Sequence, residues 1–268
     1  MKPTDYFAEH PVFRYEDFAS AHRPGKTNST EASLAAVKQH VRAGNLLRVR
    51  RGLYAVVPRG STPETAPVDP YVVASLAAPD AVVAYHAALE FHGRAHSVSR
   101  RYTFLTGTRA KPFSFRGSEF VPVPVPPPLR RLRDWGGGIQ ERPQNGATVR
   151  VTSLERTMVD VLDAPRHGGG WEEVWRSLES VEFFDLDAVT EYVFKLDSAV
   201  AVARVGFYLE QHREELMVED RHLERLRKHA PSRPTYLDRG RRESGRLQKR
   251  WNLVVPEQVL GRTWAEVA

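Results

Sequence analysis

Apolar positions Leu34, Val37 and Val41 recur at i, i+3 and i+7, which predicts an amphipathic helix between Asn28 and Gly44 with that stripe facing a core. Asn28, with Glu31 three residues on, forms an N-x-x-E start signal, and Gly44 supplies a left-handed stop. The opposite face holds Ser29, Ala32, Ala35, Ala36 and Gln39, flanked by Lys38 and Arg42, and is small enough to lie deep in a groove. Residues 45–57 then read as two short β-rich runs around Arg50-Arg51-Gly52, a hairpin whose turn needs the glycine. Upstream, Thr4 is placed to cap a short helix carrying Tyr6, Phe7 and His10, and Tyr15 and Phe18 mark the core face of the next helix. Phe7, Phe13, Phe18, Leu34, Val37, Val41, Leu47 and Leu53 would share one core. Helix, turn, helix and basic hairpin together predict a winged helix-turn-helix over residues 1–58.

The Pro- and Gly-bearing stretch 59–69 reads as a linker. Residues 71–78 and 82–92 read as two helices. Over 98–152 the pattern turns β-like: Tyr102, Phe104, Phe113 and Phe115 alternate with polar residues, and an Asn145-Gly146 turn precedes a further strand at 147–151. Thr152-Ser153-Leu154-Glu155 reads as a capping box opening a helix to Asp163, on which Arg156 and Asp160 stand at i, i+4 as a surface ion pair. Helical stretches follow at 171–180, 186–195, 198–215 and 221–229. A basic run, 239–250, leads to a closing strand at 251–255. The expected fold class is α+β: the winged helix, then a larger mixed domain over 70–268, β-rich over 98–152, mainly helical over 153–230, and closed by a basic segment and strand over 231–268.

Charge changes the picture more than composition does. The net charge of +6 is uneven: residues 1–60 carry 10 Lys and Arg against 5 Asp and Glu, whereas residues 151–230 carry 10 against 17. A basic N-terminal module favours a polyanion through counterion release. With 41% hydrophobic residues over 268 positions the chain can build real cores, and with no cysteine it has no disulfide, thiol nucleophile or cysteine-ligated zinc. No apolar run approaches a membrane span and residues 1–6 lack a signal-peptide core, so a cytoplasmic location with no membrane partner is the expectation. His86, His92 and His96 match no common ligand spacing, so no metal is expected. Neither a Walker A loop, a GxGxxG, an HExxH nor any Glu-x-Lys occurs, and Gly136–Gly138 and Gly168–Gly170 lack a phosphate loop's lysine. The expectation is a non-enzyme without a cofactor.

The order of parts is similar to a known family. The signature Gly44-Asn45-Leu46-Leu47-Arg48-Val49-Arg50-Arg51-Gly52-Leu53-Tyr54, the segment from Val151 through Ser153-Leu154-Glu155-Arg156-Thr157 to Asp160, the segment 204–210 and a Trp-containing C-terminal strand resemble the AbiEi antitoxins of bacterial type IV toxin–antitoxin systems, associated with phage defence. The resemblance covers nearly the whole chain. It implies double-stranded DNA as a partner, as inverted repeats in the chain's own promoter. It also implies a functional partner in a nucleotidyltransferase-like AbiEii-type toxin, neutralised without a stable complex. Leu154, Glu155, Arg156, Thr157 and Asp160 would mark the antitoxin domain.

The candidate DNA-contacting set is Asn28, Ser29, Thr30, Ala32, Ser33, Ala36, Lys38, Gln39 and Arg42 on the helix, with Arg48, Arg50 and Arg51 on the hairpin. Gln39 can pair with adenine, and the helix N-terminus suits a phosphate. Arg100, Arg101, Arg109, Lys111, Arg116, Arg130, Arg131 and Arg133 suggest a second anion-binding surface that would extend the DNA footprint or hold RNA. The alternative from another class is a plain winged-helix regulator whose C-terminal domain senses a ligand or mediates dimerisation.

Overall fold

Amphipathic helices and short β-branched or aromatic strands organise the chain into an α+β protein. The computed structural model describes residues 2–22, 29–238 and 245–264. It separates into two compact units that alternate along the sequence: Met1–Val83, Arg100–Pro124 and Gln140–Val151 in the first, and Ala84–Ser99, Val125–Ile139 and Thr152–Ala268 in the second. The division therefore does not fall at 59–69, where the sequence places a linker. Those residues lie inside the first unit, where Arg116 donates to the carbonyls of Ala66 and Pro63.

The first unit opens with α1 (Pro3–Glu9), β1 (Val12–Arg14), α2 (Tyr15–His22), α3 (Ser29–Arg42), β2 (Leu46–Arg50) and β3 (Leu53–Val56). The three strands form an antiparallel sheet in the order β1-β3-β2. Strand β1 is missing from the sequence reading. It pairs Val12 with Ala55 and Arg14 with Leu53. Helix α1 starts at Pro3 after Lys2, with no side-chain cap, so Thr4 is not its cap. Tyr6, Phe7, Phe13 and Phe18 form an aromatic core with Val37 and Leu46. Phe7 and Phe13 stack at 5.3 Å and Tyr6 meets Phe18 edge-on at 5.3 Å. Such pairs each add about 0.5–1.5 kcal/mol to simple burial.

The unit continues with α4 (Pro70–Ser75), capped by Asp69, and a six-stranded sheet. Its strands are β4 (Val82–Val83), β5 (Arg101–Thr106), β6 (Phe113–Phe115), β7 (Ser118–Pro124), β8 (Ile139–Gln144) and β9 (Ala147–Thr152), in the order β6-β7-β5-β4-β9-β8. Strand β5 runs parallel to β7 and antiparallel to β4, which in turn runs parallel to β9. This corrects two expectations. Val82 and Val83 are strand, not helix, and Tyr102–Thr106 are buried throughout because β5 is a central strand. Alternation holds only where one face meets water.

The second unit holds α5 (His86–Phe91), α6 (Leu154–Asp163), α7 (Trp171–Glu179), α8 (Leu186–Lys195), α9 (Ala199–Gln211) and α10 (Asp220–Arg227). A small sheet follows, of β10 (Thr235–Tyr236), β11 (Gly245–Gln248) and β12 (Leu253–Pro256), with α11 (Glu257–Leu260) after it. Strand β12 lies between parallel β10 and antiparallel β11. Helix α6 packs on α8 and α9. On α9, Gly206 is required: a Cβ there would sit 2.2 Å from the buried Trp251 ring. Trp251 donates its indole N–H to Glu210 at 2.6 Å, which fixes the ring over that glycine.

Candidate nucleic-acid interface

Helix α3 turns Val37 inward, with Val41 half-buried behind it. The helix ends where Gly44, at φ +75°, lets Gly44 N–H reach the Val41 carbonyl (3.1 Å) and Asn45 N–H the His40 carbonyl (2.9 Å). This pair of reversed bonds is the Schellman stop that a left-handed glycine permits. The exposed residues of α3 are Glu31, Ala35, Lys38, Gln39 and Arg42. Ser33 is 0% exposed and belongs to the core side, so it is not available to a ligand. Ala32 and Ala36 are half-buried, on the flanks. Asn28 lies outside the described residues, as do the side chains of Ser29 and Thr30.

The three hairpin arginines separate. The register shifts between Arg48 and Arg50, a bulge that leaves Arg48 exposed while Val49 turns into the core. Arg51, at the turn with Gly52 (φ +80°), is also exposed. Arg50 is half-buried, its guanidinium 4.9 Å over the Phe113 ring of β6. Burial lowers its pKa from the ordinary arginine value, with Glu16 pulling the other way. A guanidinium stacked on a ring contributes about 0.5–2 kcal/mol. Arg50 braces the hairpin; Arg48 and Arg51 are its outward charges. Gly52 is held from the other side, its carbonyl accepting from Tyr15 N–H at 2.8 Å.

The second basic set falls apart into two groups. Arg100, Arg101, Arg109, Lys111 and Arg116 belong to the first unit, and Arg130, Arg131 and Arg133 to the second. Arg109 and Lys111 are exposed, whereas Arg116 is bound to the Ala66 and Pro63 carbonyls. In the second unit Arg130 Nε donates to the Val125 carbonyl (2.8 Å) and Arg133 pairs with Asp134 (3.5 Å).

The Ser153–Asp160 segment forms α6 and is interior. Ser153 accepts from Arg156 N–H, so the capping partner is the backbone of Arg156 and not the side chain of Glu155. Arg156 and Asp160, expected on the surface, have side chains 1% and 3% exposed. Arg156 donates to the carbonyls of Gly137 (2.6 Å) and Trp135 (3.3 Å), and Tyr192 donates its hydroxyl to Asp160 (2.7 Å). Thr157 closes the turn on the Ser153 carbonyl at 2.6 Å, while Leu154 and Glu155 are half-buried. Burial pushes the Asp160 carboxyl up to about 6, with Arg156 and Tyr192 only partly opposing it. The cluster pins the loop at Gly136–Gly138, which Lys195 also holds through the Gly136 carbonyl. Tyr192 has no local signal in the sequence, and the Gly136–Gly138 run, visible there, does not show which side chains hold it. Of the histidines, His86 faces Glu173 (3.1 Å) and His92 the Thr152 carbonyl (2.7 Å). No helix among the described residues is long and apolar enough to cross a membrane.

No family model and no curated protein matches the chain. Among solved structures it is similar to the crystal structure of the RV2827C protein from Mycobacterium tuberculosis, at 17% identity and a TM-score of 0.57, over 96% of this chain and 90% of that one. The likeness is one of fold: both chains are α+β proteins of the same architecture.

Proposed function

We propose that the chain is a DNA-binding autorepressor and the antitoxin of a type IV toxin–antitoxin pair. The observation that carries the first half is the order α1-β1-α2-α3-β2-β3 with the sheet order β1-β3-β2, which we read as a winged helix-turn-helix. In this reading α3 enters the major groove. Gln39 reads a base edge, Ala35 allows close approach, and Lys38 and Arg42 meet phosphates. Arg48 and Arg51 reach the backbone or the minor groove beside it. Arg50 contributes by holding the hairpin against Phe113.

The antitoxin half rests on the family resemblance of the Ser-Leu-Glu-Arg-Thr segment. Its buried Arg156–Asp160 pair supports a structural part for those residues, not a contact with the toxin. Neutralisation would act on a nucleotidyltransferase-like toxin without a stable complex. The test is one strain carrying the full chain, a reporter driven by its own upstream region, and the neighbouring gene under separate control. Wild type should repress the reporter and restore growth. Gln39→Ala with Arg51→Ala should release the reporter and still restore growth. A neighbouring gene that is harmless alone, or growth not restored by wild type, sinks the antitoxin half.

A further inference from the structure

The first unit contains a cavity of about 730 Å³ between its N-terminal elements and the segment entering α4. Four of its walls, Pro11, Pro58, Pro67 and Pro70, are prolines, which have a fixed φ and no N–H donor. Phe7, Val12, Val56 and Val72 supply apolar surface. The carboxylate at its edge, Asp69, is saturated. One oxygen accepts from the backbone N–H of Tyr71 (2.8 Å) and Val72 (3.2 Å), the other from Gln144 (2.8 Å) and Asn145 (2.5 Å). A cation therefore finds no uncommitted carboxylate there, and an anion meets the charge of Asp69. The volume lies within the roughly 300–1,000 Å³ usual for small-molecule sites, whose walls are mostly apolar.

Two of these walls also support α3. The Phe7 ring stands edge-on to His40 of α3 at 5.0 Å, and Phe7 packs in one cluster with Val37, Val41 and Val56. Val56 N–H donates to the Pro11 carbonyl at 2.8 Å, tying the end of the wing's second strand to the same wall. A molecule that shifts Phe7 or Val56 must shift the seat of α3, because a packed core has no slack to absorb it.

We infer that this cavity is an effector site that takes a neutral, largely apolar small molecule and, through Phe7 and Val56, sets how tightly the α3 face holds DNA. The site itself is independent of the proposed function; the coupling rests on it. N-phenyl-1-naphthylamine, a neutral dye that fluoresces in apolar surroundings, is the probe, used with the full chain. Val68 lines the cavity and is half-buried, outside both the α3 face and the aromatic cluster, so Val68→Trp fills the space. Wild type should bind the dye saturably, and Val68→Trp should lose that binding while keeping its affinity for the upstream DNA. Saturating dye should change the wild-type DNA affinity by about fivefold or more, the low end of allosteric coupling, and leave Val68→Trp unchanged. If Val68→Trp melts early, Pro67→Trp from the exposed rim replaces it. No saturable dye binding, or equal binding by the filled variant, overturns the site. Dye binding with unchanged DNA affinity overturns the coupling. If the chain binds no upstream DNA even without dye, the nucleic-acid reading and the coupling fail together, and the fluorescence titration alone decides the site.

Discussion

Asp160 lies in the interior with Arg156 on one side and the Tyr192 hydroxyl on the other, yet burial still outweighs both partners and raises its carboxyl to about 6. The linkage has a definite sign. A carboxyl raised above its ordinary 3.8 binds more protons folded than unfolded, so its contribution is complete below about 3.8 and is lost as pH rises through about 6. The stability of wild type relative to Asp160→Asn, read by urea denaturation, should therefore fall between pH 4 and pH 7. A difference that is flat, or that rises, would remove the burial argument. Position also decides the neighbouring arginines of the hairpin. Arg50 and Arg51 are the same residue type side by side, but Phe113 captures one and leaves the other exposed. The ring that makes the distinction is sixty-three positions from Arg50 along the chain, so no window around the hairpin contains it.

At the scale of elements, α9 and the turn leading into β12 depend on a single missing side chain. Gly206→Ala would drive a methyl into the Trp251 ring, where overpacking costs about 1–3 kcal/mol and occasionally more. A thermal melt should show a clear loss of stability in Gly206→Ala, and a loss no larger than that of a surface substitution would refute the contact. Elements written in local signals were legible. The helical stretch read at 186–195 coincides with α8 at both ends, and the stop of α3 follows from Gly44, a left-handed glycine. Elements defined by distant neighbours were not. Strand β4 has two residues and owes its existence to β5 and β9, and β1 is three residues held by β3. The i, i+4 spacing brought Arg156 and Asp160 together, but depth is a property of α8 and the Gly136–Gly138 loop.

At the scale of the whole molecule, charge follows the units better than it follows the sequence blocks. The first unit carries 17 Lys and Arg against 10 Asp and Glu, and the second 22 against 23. All the excess positive charge thus sits in the unit that holds α3 and the hairpin, which supports a polyanion partner for that unit. The strand segments 100–124 and 140–151 belong to it as well, so Arg109 and Lys111 share its basic balance although they come late in the chain.

The most direct test is the affinity of the full chain for its own upstream DNA, measured by fluorescence anisotropy across a series of salt concentrations, for wild type and for Arg48→Ala with Arg51→Ala. Wild type should prefer that DNA over a scrambled duplex, with log affinity falling linearly in log salt. The double variant should bind more weakly, with a slope shallower by about 2, since each phosphate contact contributes roughly 0.9. Wild-type binding with no sequence preference, or a variant whose affinity and slope match wild type, would contradict the placement of α3 and the hairpin on DNA.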